Sequence, residues 1–258
     1  MGSASREALA QARSALRDGL ATTVGVELLE VAGVIAGNPA LASALGDSSA
    51  AAEAKNTVVA RLFGALSDDA RAVLTAAVAG RWSSSEELVA GVEELGLRAE
   101  GIAQPGLSDE LLSVADLVAR NHELQLTLGS KLVPAEGKVA LLERLLTDKV
   151  SASAIAVVNQ LASYPRGQRL EAALRNAART CADQVGFELA TVTVAAPLTA
   201  AQQARLASVL ERTAGRTVKV TTVIDPAVIG GIRVQIADDV IDGSIRSRLA
   251  DLRTQLAA

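Results

Sequence analysis

From Ala4 to about Asp183 the hydrophobic positions recur at intervals of three, four and seven residues, the spacing that puts them on one face of a helix. Leu9, Leu16 and Leu20 mark a first segment, and Val24, Leu28, Val31 and Ile35 a second. Helix breaks fall at Gly19, Gly37-Asn38-Pro39, Gly46, Gly80 to Ser85, Gln104-Pro105-Gly106 and Pro165-Arg166-Gly167. After Gly186 the period changes to two: Ala190, Val192 and Val194, then Val218, Val220, Thr222 and Ile224, then Ile232, Val234 and Ile236, the alternation of half-buried strands. Between the first two runs, Thr199 and Gln202 predict a capping box ahead of Leu206, Val209 and Leu210, with Gly215 as the stop signal. A last helix is predicted from Asp242-Gly243-Ser244, burying Ile245, Leu249, Leu252 and Leu256. The expected fold is mainly α: an N-terminal helical bundle over residues 1–183, followed by a small C-terminal α/β module over 184–258 in the order strand, helix, strand, strand, helix.

The helical part matches itself. Laid on residues 121–146, residues 38–63 pair Asn38 with Asn121, Leu41 with Leu124, Leu45 with Leu128, Gly46 with Gly129, Lys55 with Lys138 and Arg61-Leu62 with Arg144-Leu145, without a gap. The match continues weakly, Ala72-Val73-Leu74 falling on Ile155-Ala156-Val157. Two related multi-helix units, about 38–103 and 121–183, are therefore expected, which is too few for a solenoid.

Composition narrows the function. Half of the 258 residues are hydrophobic, but there are only one Trp, one Tyr and two Phe, so the cores are packed from Leu, Val, Ile and Ala and no base-stacking surface is expected. Residues 186–258 carry 8 Lys+Arg and 7 Asp+Glu, and the remainder 17 and 22; neither part is basic enough to track nucleic-acid phosphates. One cysteine, Cys181, excludes an intramolecular disulfide framework. No signal-like opening and no apolar run of about 18 residues is present, so membrane association is expected only through a partner.

The search for chemistry returns little. His122 is the sole histidine, and no Gly-x4-Gly-Lys-Ser/Thr loop occurs. Asp238-Asp239 with Asp242 invites a cation reading but lacks the spacing of a calcium loop, and a solvated hairpin before a helix cap explains it better. Gly230-Gly231 feeds strand residues rather than a helix, so it reads as a conformational joint after the turn at Asp225-Pro226 rather than a phosphate loop. Trp82 is the one aromatic suited to anchor a partner, although a core role fits it better. No cofactor or metal is expected.

Three stretches arrive in order near the end: Pro197 to Leu210 (PLTAAQQARLASVL), Val220 to Gly231 (VTTVIDPAVIGG) and Val240 to Leu252 (VIDGSIRSRLADL). Together they resemble the signature of the delta subunit family of F-type ATP synthases, called OSCP in mitochondria. Ala237 departs from it, standing where that family usually has Gly. The extra helical segment is similar to that of actinobacterial delta sequences, some of them fused to a membrane-anchored b-type subunit. The resemblance implies a non-catalytic peripheral-stalk subunit at the cytoplasmic face of the cell membrane, with no cofactor. Its partners would be the alpha/beta head, the N-terminal segments of alpha subunits, and the C-terminal end of a b or b′ subunit. It implies an alpha-binding groove on the first helix and the helix Ala154 to Ser163, at Leu9, Leu16, Val158 and Leu161, with Val73, Ala77 and Val78 on the equivalent helix of the other unit. Leu249 and Leu252 would face the stalk. The rival readings are a non-catalytic helical adaptor unrelated to ATP synthase, and a small-ligand binder using the Gly-Gly loop.

Overall fold

A computed structural model describes residues 1–17, 19–225, 228, 230–236 and 239–243. The chain divides into two compact units, Met1–Gln184 and Val185–Ala258.

Among the described residues of the first unit there are eleven helices, and the six breaks read from sequence account for six of the ten junctions between them: α1 (Ser3–Arg13), α2 (Thr23–Ala36), α3 (Pro39–Gly46), α4 (Ala52–Leu62), α5 (Asp68–Ala79), α6 (Ser85–Ala103), α7 (Leu107–Arg120), α8 (His122–Gly129), α9 (Ala135–Leu146), α10 (Ala152–Ser163) and α11 (Leu170–Gln184). Side-chain caps mark five of the starts. Asn38, Ser67, Ser84, Asn121 and Ser151 each accept a backbone N–H from the first turn of the helix they precede.

The contacts recur along the chain. On α2, Val24, Leu28, Leu29, Val31, Ala32 and Ile35 are buried; 83 residues later so are Leu107, Leu111, Leu112, Val114, Ala115 and Val118 on α7. Glu27 of α2 accepts from both the backbone N–H (2.9 Å) and the hydroxyl (2.8 Å) of Ser67. Glu110 of α7 does the same for Ser151, at 3.0 and 2.6 Å. The correspondence thus reaches one helix upstream of Asn38 and Asn121, where the sequence match began.

Past Arg61 and Arg144 the ungapped register fails. Helix α9 is one residue longer than α4, so the spacing becomes 84, as Ser67 and Ser151 show. Leu74 then corresponds to Val158, and Trp82 to Arg166 rather than Pro165.

Helix α6 lies between the two series. It packs on α1, α2, α3 and α5 on one side and on α11 on the other, so its Leu88, Val92, Leu95, Leu97 and Ala99 are buried around the whole circumference. Glycines set these close crossings. A Cβ on Gly25 of α2 would come within 2.8 Å of the Glu100 backbone nitrogen, and one on Gly101 within 2.7 Å of the Cys181 carbonyl oxygen.

The second unit holds β1 (Glu188–Val194), α12 (Ala200–Ala214), β2 (Val218–Ile224), β3 (Ile232–Ile236) and β4 (Asp239–Asp242). The sheet order is β2-β1-β3-β4, with β1 parallel to β2 and antiparallel to β3, and β3 antiparallel to β4. Ala190, Val192, Val194, Val218 and Val234 form the inner face, against Leu206 and Leu210 of α12. The Thr199–Gln202 capping box is made, and Gly215 ends the helix at φ 70°. Gly230 and Gly231 both lie at positive φ, 81° and 82°, consecutive left-handed residues that a side chain would strain.

Asp239–Asp242 lies in a hairpin as expected, and forms in it a fourth strand beyond the three expected, pairing Val240 with Gln235 and Ile241 with Val234. A four-residue run is too short to register as a period. The expected last helix, with Ile245, Leu249, Leu252 and Leu256, lies outside the described residues.

Candidate partner-binding surfaces

Leu9 lies on the inner face of α1, 8% exposed, and Leu16 packs partly buried against the same core. That core includes Val73, Ala77 and Val78 of α5, on which α1 packs. Val158 and Leu161, 0% and 5% exposed, sit on α10, which packs on α9, α2, α7 and α11. The structure therefore brings Leu9 and Leu16 together with the α5 residues, while Val158 and Leu161 belong to the other series and are not members of that core. An assignment that reads the first helix and α10 as neighbours crosses from one series into the other. Leu249 and Leu252 lie outside the described residues.

Trp82 is 4% exposed. Its indole Nε1 donates to the Ala77 carbonyl at 2.7 Å, and its ring lies over Gly91, where a Cβ would come within 2.0 Å of it. Those contacts make it a core residue closing α5 onto α6.

The sequence reading overlooked the polar groups of α6. Glu93 is buried and ion-paired with Arg166. Arg98, also buried, pairs with Glu94 at 2.8 Å and with Asp183 of α11 at 2.9 Å; Asp183 also lies 3.8 Å from Arg13 of α1. Glu100 is 0% exposed, and neither carboxyl oxygen makes a well-formed hydrogen bond. Burial pushes the Glu100 carboxyl above the usual carboxylate range, against the Ser153 hydroxyl and the Val26 backbone; burial raises Glu93 as well, against the Arg166 charge. A signal existed: Glu93 and Glu100 are one heptad apart, on the same helix face as Gly96 and Leu97.

None of these groups is placed for chemistry on a substrate. Cys181 is buried, donates to the Leu97 carbonyl at 3.2 Å, and its thiol is pushed up to about 12 by burial and by the Glu100 charge. Lys55 is buried with Nζ 3.3 Å from the Val78 carbonyl, and burial lowers its pKa. His122 is an exposed first residue of α8. Among the described residues no group of three or more His, Cys, Asp or Glu is placed to hold a metal ion, and no single helix is long and apolar enough to cross a membrane.

On the outside of the second series, a groove of about 380 Å³ runs between α9 and the end of α10, lined by Ala135, Glu136, Val139, Ala140, Glu143, Ser163 and Tyr164. Leu126 and Leu132 are 61% and 94% exposed.

A family model, ATP synthase delta (OSCP) subunit, matches residues 106–256. The ATP synthase subunit delta of Leifsonia xyli subsp. xyli is 42% identical over 264 residues, covering 100% of both chains. That of Streptomyces avermitilis is 35% identical over 269 residues, covering 99% of this chain and 98% of its own. The ATP synthase subunit b-delta of a Mycobacterium species is 36% identical over 246 residues, covering 93% of this chain and 55% of its own. Among solved structures, a chain of the Toxoplasma gondii mitochondrial ATP synthase hexamer is similar at a TM-score of 0.39 and 22% identity, over 60% of this chain and 88% of that one. With a family model over more than half of its length and a relative matched from end to end, this chain belongs to the ATP synthase delta (OSCP) subunit family, a structural and non-catalytic part of that enzyme.

Proposed function

We propose that this chain is the stator connector of a proton-translocating F-type ATP synthase, at the cytoplasmic face of the cell membrane. Its helical unit holds N-terminal segments of alpha subunits on the alpha/beta head, and its C-terminal unit holds the far end of a b or b′ subunit. The observation that carries this reading is the end-to-end match to a relative named as subunit delta. The b-delta relative, whose name joins b to delta in one chain of which this chain matches 55%, supports b as the neighbour.

The alpha segment lies on the outer side of α1 and α5, over the core in which Leu9 and Leu16 meet Val73, Ala77 and Val78 and hold the two helices together, with Val158 and Leu161 beneath the counterpart helix of the second series. An amphipathic helix binds such a surface through anchors three or four residues apart. Leu249 and Leu252 remain the proposed stalk contacts. The second helical series adds contact area under torque, since spreading a load over several contacts slows dissociation.

The test is calorimetric titration of the full chain with two peptides, the cognate alpha N-terminus and the cognate b C-terminus. Both bind, and saturation with one leaves the other's site open. If neither peptide binds, the connector reading fails and an unrelated helical adaptor takes its place.

A further inference from the structure

Helices α8 and α9 repeat α3 and α4 at a spacing of 83 residues, so each pair serves as a control for what the other's fold requires. Where the first series has Ser43, Ser49, Asn56 and Thr57, the second has Leu126, Leu132, Val139 and Ala140. The buried positions are kept apolar in both, Leu41 with Leu124 and Val59 with Leu142; three of the four polar-to-apolar changes fall at exposed positions, and the fourth, Asn56 with Val139, at a half-buried one. Folding does not ask for them: Leu132 is 94% exposed. A single exposed leucine carries no meaning, whereas a groove floor converted from amide and hydroxyl to aliphatic side chains marks a surface that is covered by something else.

The groove also has a wall that the first series lacks. Ser163 and Tyr164 stand where that series has Ala79 and Gly80. Its floor is Val139 and Ala140 of α9; Glu136 and Glu143, one heptad and about 10 Å apart along the same helix face, close its two ends. Glu143 is held in place by the Asn159 side-chain amide at 2.9 Å. No Lys or Arg lines the groove.

We propose that this groove docks a basic amphipathic helix from another subunit of the complex, its small apolar residues on Val139 and Ala140 and two cations, a heptad apart, against Glu136 and Glu143. The charge pattern selects the occupant, because an acidic-ended apolar trough repels an acidic helix and leaves a neutral one with two uncompensated carboxylates. The proposal rests on the reading of the chain as a subunit held by helices of its partners, and adds to it the site, the face and the sign of the charge.

The experiment uses the full chain and ATP synthase particles stripped of their delta subunit. A triple variant, Leu132→Ser, Val139→Asn and Ala140→Thr, carries the residues that the first series already tolerates at these positions, so it folds. It is expected to bind the particles about tenfold more weakly than wild type, with an unchanged Trp82 fluorescence melt. Glu136→Gln with Glu143→Gln is expected to remove part of the salt dependence of binding. Wild-type affinity and salt dependence in both variants overturn the proposal, as does wild-type self-association that the triple variant abolishes, which would seat a second copy in the groove. Failure of the wild-type chain to bind the particles at all is a different result: it overturns the connector reading itself.

Discussion

Replacing Glu100 tests how the two helical series are joined. Its carboxyl is fully buried at the meeting of α6 with Gly25 of α2 and Cys181 of α11, and neither oxygen has a well-formed hydrogen bond, the Ser153 hydroxyl and the Val26 backbone compensating its burial only in part. A buried polar group left without a partner costs about 1–3 kcal/mol. Methionine has a similar length and no such group, so Glu100→Met should stabilise the helical unit by about that amount. For a unit of this size each kcal/mol moves the melting temperature by about 2–4 °C, so a rise of about 2–12 °C is expected at neutral pH. The sign of the pH dependence follows from the raised pKa. Between the ordinary value of 4.5 and the higher native value, the folded state keeps a proton that the unfolded state has released, so stability is full below 4.5 and falls as pH rises through that window. Glu93, raised for the same reason, tilts the curve the same way. The advantage of Glu100→Met over wild type should therefore be smallest in acid and grow with pH, and Glu100→Gln should show the same loss of slope with a smaller gain. Trp82, the one tryptophan, lies in the helical unit, so urea melts followed by its fluorescence from pH 4.5 to 8 report on that unit. A methionine variant less stable than wild type at every pH, or one with an unchanged pH slope, refutes the reasoning.

Two further outcomes are expected. Ser67→Ala and Ser151→Ala each remove a helix cap together with the hydroxyl bond to Glu27 or Glu110, while the backbone N–H bond to the same carboxylate is kept, so urea melts should show two similar losses of about 1 kcal/mol; a loss confined to one site would show that the two caps are not equivalent. Cys181, with its thiol pushed up to about 12, should react with a thiol reagent at pH 8 on the order of a thousandfold more slowly in the native chain than in urea; rapid labelling of the folded protein would show that α11 opens away from α6.

The helices of the first unit were legible where an apolar stripe ends at a Gly or Pro break, as α2 does at Gly37-Asn38-Pro39, and less so where only a polar cap such as Ser67 or Ser151 divides them. The α/β module was legible from alternation in Ala190-Val192-Val194 and from Thr199-Gln202. Three things were not. Strand β4 is shorter than any period can reveal. The extra residue of α9 leaves the local apolar pattern intact, so only the position of Ser151 exposes it. The pairing of α1 with α5 rather than α10 depends on which of two similar partners lies nearer, and similar helices carry similar stripes. Glu100 was overlooked for a related reason: in a helix buried on all sides a charged residue has no solvent face to occupy, and which helix is buried on all sides depends on its neighbours in the fold.

Because α6 belongs to both series, there is no hinge between them. It is 19 residues long, about 28 Å, and gripped on one side by α2 and on the other by α11. A force applied to one series reaches the other by sliding two packed faces against a single rod, which loads many side chains at once. Separating two bundles joined by a flexible link would instead load their contacts one after another. The joint is therefore stiff in shear, and a deletion that removes α6, such as one of residues 38–120, takes away a wall of both cores rather than an accessory module.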